Sequence, residues 1–131
     1  MTNKEQIKTV LEEMGYKPWL DEDGDLIVRY QLKAFYFLAN EEEDNYVAVV
    51  FPQLYEMEDG EETLVMATCN KLVREIKFAK VYVDQTFKSV SASCEFFFTD
   101  EASLKKNIEH AFHVLGMART LFRKAKEELA E

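Results

Sequence analysis

The sequence predicts an α+β fold: an antiparallel sheet of about five strands with helices, in the order α-β-β-β-α-β-β-α, with three or four strand runs before the middle helix. Three observations carry that expectation. Apolar residues recur at helical spacing near both ends of the chain and once in its middle, and between these stretches the period falls to two. An Asp-Gly pair, Asp23-Gly24, separates two strand-like runs and marks a hairpin. With 131 residues, 4 Gly and 2 Pro, the chain has room for one core and little room for linkers, so residues 1–131 are expected to form a single domain.

The first helix follows from Ile7, Val10, Leu11 and Met14, with Thr2 and Glu5 in capping-box register and Gly15 as the stop. The Asp-Gly turn then joins Trp19-Leu20 to Leu26–Tyr30. Further strands are expected at Ala34 to Ala39 and Tyr46 to Phe51, separated by the acidic stretch Asn40 to Asn45. Pro52 cannot donate to a ladder and is expected to end the last of these strands.

A second acidic stretch, Glu56 to Glu62, leads into the middle helix with Asp59 as its expected N-cap. Leu64, Val65, Cys69, Leu72 and Val73 form its apolar stripe, and strand character resumes over Ile76 to Asp84. The next strand alternates most clearly. Val90, Ala92, Cys94, Phe96 and Phe98 should pack, while Ser89, Ser91, Ser93 and Glu95 should be wet. Asp100 is placed to cap a final helix to about Leu129, burying Leu104, Ile108, Ala111, Phe112, Leu115, Phe122 and Leu129.

Charge excludes some functions. The 25 acidic and 16 basic side chains leave a net charge of -9, which repels a phosphate backbone or an anionic bilayer, so neither nucleic acid nor membrane is an expected partner. The start carries no basic-then-apolar signal, and the longest apolar run, Val47 to Phe51, is too short to span a membrane; a cytoplasmic location is expected. Cys69 and Cys94 form no C-x-x-C pair and are read as small, reduced, buried hydrophobes.

Catalytic and metal patterns are missing, so no enzyme and no cofactor is expected. There is no G-x-S-x-G elbow, phosphate-binding Gly-rich loop or H-E-x-x-H pair. Asp21, Asp23 and Asp25 imitate the start of a calcium loop, but Leu26 and Leu32 stand where that loop needs Gly and Glu. The acidic runs Glu41 to Asp44 and Glu61-Glu62 read as solvated. His110 and His113 lie three apart on the last helix, without an acid or thiol in their stripe to complete a metal set.

What remains is surplus apolar surface. If the helices share one side of the sheet, Tyr36, Leu38, Val47 and Val49 are expected to form an exposed patch. On the last helix His110, Val114, Met117 and Leu121 make a second stripe beside the core stripe. That stripe serves a homodimer or a client, or it packs within the same chain. Gly116 sits among these residues, either for a close backbone approach or as a tolerated residue. The basic series Lys71, Arg74, Lys77 and Lys80 is a weak signal for an acidic partner; pairing with nearby acids is its plainer explanation.

The stretch Cys69 to Asp84, the strand Val90 to Phe97 and the acidic hairpin Asp21 to Asp25 together resemble the YbjN family over nearly the full length. Asn70 matches the first of two asparagines often found in that family, whereas Val73 stands at the second. The resemblance implies the fold of type III secretion chaperones, which commonly dimerise and bind extended client segments; members are described as sensory transduction regulators. The expectation is therefore a non-enzymatic, chaperone-like or regulatory module whose partner is a protein, with a small-molecule binder using the aromatic sheet surface as the alternative.

Overall fold

The computed structural model describes residues 2–39 and 45–130. Helix α1 (Asn3–Glu13) is followed by strands β1 (Trp19–Leu20), β2 (Leu26–Tyr30), β3 (Lys33–Leu38) and β4 (Tyr46–Glu56). Then come α2 (Glu62–Glu75), β5 (Lys80–Val83), β6 (Ser89–Phe97) and α3 (Glu101–Ala130). The strands form one antiparallel sheet ordered β1-β2-β3-β4-β6-β5, one strand more than expected because the two residues of β1 join it.

Local chemistry explains most boundaries. Thr2 and Glu5 make the reciprocal capping box of α1, and Gly15, at φ 94°, takes the left-handed position past its end. In the β1–β2 hairpin, Oδ1 of Asp21 accepts from the backbone N–H of Asp23 and of Asp25. Lys4 of α1 donates to the Gly24 carbonyl at 2.7 Å, tying helix to turn. Asp100 caps α3 by accepting from the Ser103 N–H at 2.7 Å.

Several boundaries differ from expectation. Pro52 does not end β4: the strand continues to Glu56 through a bulge in which Gln53 adopts φ 52°. The bulge is held from two sides. The Gln53 N–H donates to Ser91 Oγ at 3.2 Å, and Arg119 Nε donates to the Leu54 carbonyl at 3.0 Å, its guanidinium lying over the Phe51 ring. Asp59 is not the cap of α2; Glu61 occupies that position, with its carboxylate bound elsewhere. Residues 76–79 are not strand, and Phe78 among them has φ 70°.

The serine face of β6 is not wet. Ser89, Ser91 and Ser93 are buried because β6 lies between β4 and β5, whose larger side chains close over the small ones. Leu129 is exposed at the end of α3, and the other residues expected in that helix's core stripe are buried.

Phe112 of α3 is the centre of the core. Its ring stacks on Tyr30 at 4.7 Å and Phe35 at 5.5 Å and meets Tyr16 and Phe37 edge-on at 5.0 and 5.7 Å. Close above it, Gly116 lets α3 approach the β2–β3 hairpin. A Cβ there would stand 3.3 Å from Tyr30 Cε2, so the close-approach explanation of this glycine holds.

Candidate functional site

Strand register sorts the sheet into two faces. Phe35 and Phe37 share a face with Val47, Val49, Phe51, Ala92, Cys94 and Phe96, and all of these are buried against the helices. The opposite face carries Trp19, Ile27, Tyr36, Leu38, Tyr46, Ala48, Val50, Tyr82 and Phe97. The helix contacts of the sheet are made on the first face by α2 and α3, with α1 packed on α3.

Among the described residues nothing covers the second face, and it is apolar at its centre. Leu38 is 41% exposed, Tyr82 36% and Phe97 65%. Two adjoining hollows, each of about 340 Å³, share Leu38 and Val50; one also borders Tyr36 and Pro52, the other Tyr46 and Tyr82. The polar end of this face is organised by Glu95, which accepts from the Tyr46 hydroxyl and pairs with Lys80, and both partners hold its carboxyl below the usual range.

Tyr36 and Leu38 therefore lie on the open face as expected. Val47 and Val49 do not: both are fully buried on the helix side, and Ala48 and Val50 take their place. The physical reason is register, since Tyr36 pairs with Val50 and Leu38 with Ala48. One signal was available in the sequence, because Phe51 shares the parity of Val47 and Val49 and has the larger surface to bury.

The α3 stripe is divided. Val114, Met117 and Leu121 line a groove of about 300 Å³ between α2 and α3, facing Leu72 and Ile76, with His113 at its side. Leu121 packs on the core and Met117 is 43% exposed. His110 is exposed and meets the Phe78 ring edge-on at 6.4 Å. The two histidines thus do not converge on one point of the groove.

Other candidate groups are engaged locally. The carboxylate oxygens of Asp21, Asp23 and Asp25 lie within 4.8 Å of one another, but Asp21 is committed to the turn's own N–H groups. Lys71 pairs with Glu75 and Glu128, Lys80 pairs with Glu95, and Arg74 donates to the Asn70 carbonyl, so the basic series is largely spent within the chain. Asn70 itself is exposed on α2. Cys69 and Cys94 are free and buried, and burial pushes their thiols up to about 11 and about 12. Glu61 accepts from the Tyr55 hydroxyl and the Glu58 N–H and pairs with Lys126 at 2.7 Å, joining β4, α2 and α3. The acidic run Glu41 to Asp44 lies outside the described residues.

A sheet with helices on one face and an apolar surface left open on the other is a two-layer α+β fold. The chain superposes on the crystal structure of YbjN from E. coli with a TM-score of 0.71 and 9% identity, covering 93% of this chain and 89% of that one. An uncharacterized protein from Methanothermobacter thermautotrophicus superposes with a TM-score of 0.54 and 13% identity, covering 96% and 98%. At those identities the likeness is one of fold. Sequence shows the family: residues 2–120 match the model described as T3SS (YopN, CesT) and YbjN peptide-binding chaperone 1, and the chain belongs to that family. No protein of curated function matches it. No helix among the described residues is long and apolar enough to cross a membrane.

Proposed function

We propose that this chain is a non-enzymatic, chaperone-like module that binds an extended segment of another polypeptide across the open face of its sheet. The observation that carries the reading is the uncovered apolar strip through Tyr36, Leu38 and Val50. Such a strip on a sheet suits an extended chain, whose alternate side chains reach successive hollows. The shallow, joined hollows favour a polypeptide over a compact small molecule, which binds best in an enclosed pocket. Membership of a peptide-binding chaperone family supports the same class of ligand. The reading suits a cytoplasmic protein whose two buried cysteines stay reduced.

The test is capture of a permanently unfolded polypeptide, reduced and carboxymethylated α-lactalbumin, by wild type and by Leu38→Asp. Loss of capture in a variant that keeps its circular dichroism supports the open face. Undiminished capture by the folded variant removes that face from the function.

A second copy of this chain fits the α2–α3 groove better than the sheet. The groove's exposed Met117 and half-buried Val114 and Leu121 form a self-contained apolar stripe of the kind that a two-fold axis doubles. Light scattering of Leu121→Asp tests this: a dimeric wild type and a monomeric, folded variant support it, and a monomeric wild type ends it.

A further inference from the structure

The β1 edge of the sheet carries a cleft that neither surface above includes. β1 pairs only with Leu26 and Ile27, so the rest of β2 has no strand on its β1 side, and the space left over is a cleft of about 570 Å³. Tyr16, Lys17, Trp19, Arg29, Gln31 and Leu32 line it. Trp19 and Arg29 belong to the open face, so the cleft continues that face to its edge.

Two features of this lining bear on what it can hold. The turn between β2 and β3 puts Gln31 at φ 48° and Leu32 at φ 67°, left-handed positions that Asn and Gly occupy with far less strain. Leu32 is 89% exposed there, the most exposed large hydrophobe among the described residues. The second feature is charge. Lys17 and Arg29 are exposed, and neither side chain has an ion pair or hydrogen bond among the described residues, whereas Lys71, Lys80, Lys105 and Lys126 are paired. In a chain of net charge -9, a lining with two unpaired cations and no carboxylate is complementary to an anion.

We propose that this cleft receives an acidic stretch of the bound polypeptide, with Lys17 and Arg29 facing its carboxylates and Trp19 and Leu32 packing on a flanking apolar side chain. The inference rests on the polypeptide-binding reading and adds the partner's charge. Screening over about 8 Å at physiological ionic strength weakens the opposing field of the net negative charge, and the carboxylates of the same hairpin, Asp21, Asp23 and Asp25, are not part of the lining.

Trp19 is the chain's only tryptophan, so its emission reports directly on the cleft. The probes are three synthetic dodecapeptides sharing the same leucines and phenylalanines, with Asp and Glu, Ser and Gln, or Lys at the other positions. The acidic peptide is expected to shift Trp19 emission and bind at least about tenfold more tightly than the neutral one, and the double variant Lys17→Glu, Arg29→Glu to remove that preference. The variant Gln31→Asn, Leu32→Gly is expected to raise the unfolding midpoint, by relieving the turn, while weakening the acidic peptide severalfold. Equal affinity for acidic and neutral peptides, or an unchanged preference in the charge-reversed variant, overturns the inference and leaves the polypeptide reading standing. No binding of any of the three, at the cleft or by capture of the unfolded protein, overturns both.

Discussion

Val49 and Val50 are neighbours in β4 whose side chains point to opposite faces, and substituting each by threonine measures the sidedness of the sheet. Threonine keeps the β-branched shape, so strand propensity and volume change little and the hydroxyl is the main perturbation. Val49 is fully buried between Phe37 and Cys94 on the helix side. A hydroxyl there loses water without a ready partner, at a cost of about 1–3 kcal/mol. Val50 is half-buried in a hollow open to solvent, so its hydroxyl stays hydrated, and the change should fall within about 0.5 kcal/mol. With a urea m-value of about 1.5 kcal/mol/M for a chain of this size, Val49→Thr should lower the midpoint by roughly 1 M, and Val50→Thr by no more than roughly 0.3 M. Urea titration followed by circular dichroism reads both. Equal shifts, or the larger one at Val50, would refute the face assignment and with it the location of the open surface.

The Glu61 carboxyl is held down to about 2 by Lys126, the Tyr55 hydroxyl and the Glu58 N–H. Because its folded pKa is depressed, its contribution is present above the ordinary value of 4.5 and disappears as pH falls through about 2. Glu61→Gln should therefore cost on the order of 1–2 kcal/mol at pH 7, less than the full shift implies because water reaches the site, and the gap from wild type in thermal unfolding should narrow as pH falls below 4.5 and close near pH 2. Phe112→Ala, emptying the centre of the aromatic cluster, should cost about 3–5 kcal/mol in the same urea titration; a cost under about 1 kcal/mol would mean that the cluster is not the core. Cys69 and Cys94, with thiols pushed up to about 11 and about 12, should react with Ellman's reagent at pH 8 only as fast as the chain unfolds, and rapid labelling of either would contradict their burial.

Element type and order are legible in the sequence because they rest on local chemistry: the Thr2 and Glu5 box, the Asp23-Gly24 turn and the Asp100 cap each act within a few residues. What local patterns do not contain is the alignment of one strand on another. Residues 46–51 divide into two apolar sets, and only pairing of β4 with β3 and β6 decides that Val49 goes in and Val50 out. The same limit explains Pro52. Alone it reads as a strand end, but Ser91 and Arg119, at distant positions in sequence, supply the hydrogen bonds that carry β4 through its bulge. The serines of β6 look solvent-facing until β4 and β5 stand on either side. Leu32 was visible in the sequence, but the left-handed turn that leaves it bare follows from the Tyr30–Lys33 pairing of β2 and β3, which its side chain does nothing to encode.

An open apolar face on a sheet invites self-association, and the features that oppose this also bear on what the face can bind. Edge-to-edge growth needs long unpaired strands, yet the two edges are β1, with two residues, and β5, with four. Face-to-face stacking of two copies would bring together two chains of net charge -9. The face itself combines its leucine and valine with three tyrosines, Tyr36, Tyr46 and Tyr82, whose hydroxyls keep it partly wet. A second sheet is thus a poor occupant, and a single extended segment is a good one: it needs no edge, brings little charge of its own to the centre of the face, and can place its acidic residues at the β1 end. There Lys17 and Arg29 stand unpaired among the described residues, with β3 and β4 lying between β2 and the Glu95 strand β6. The order of strands therefore gives the open face two unlike ends, the cleft with Lys17 and Arg29 beside β1 and the Glu95–Lys80 pair near β5, and a bound chain should read it in one direction.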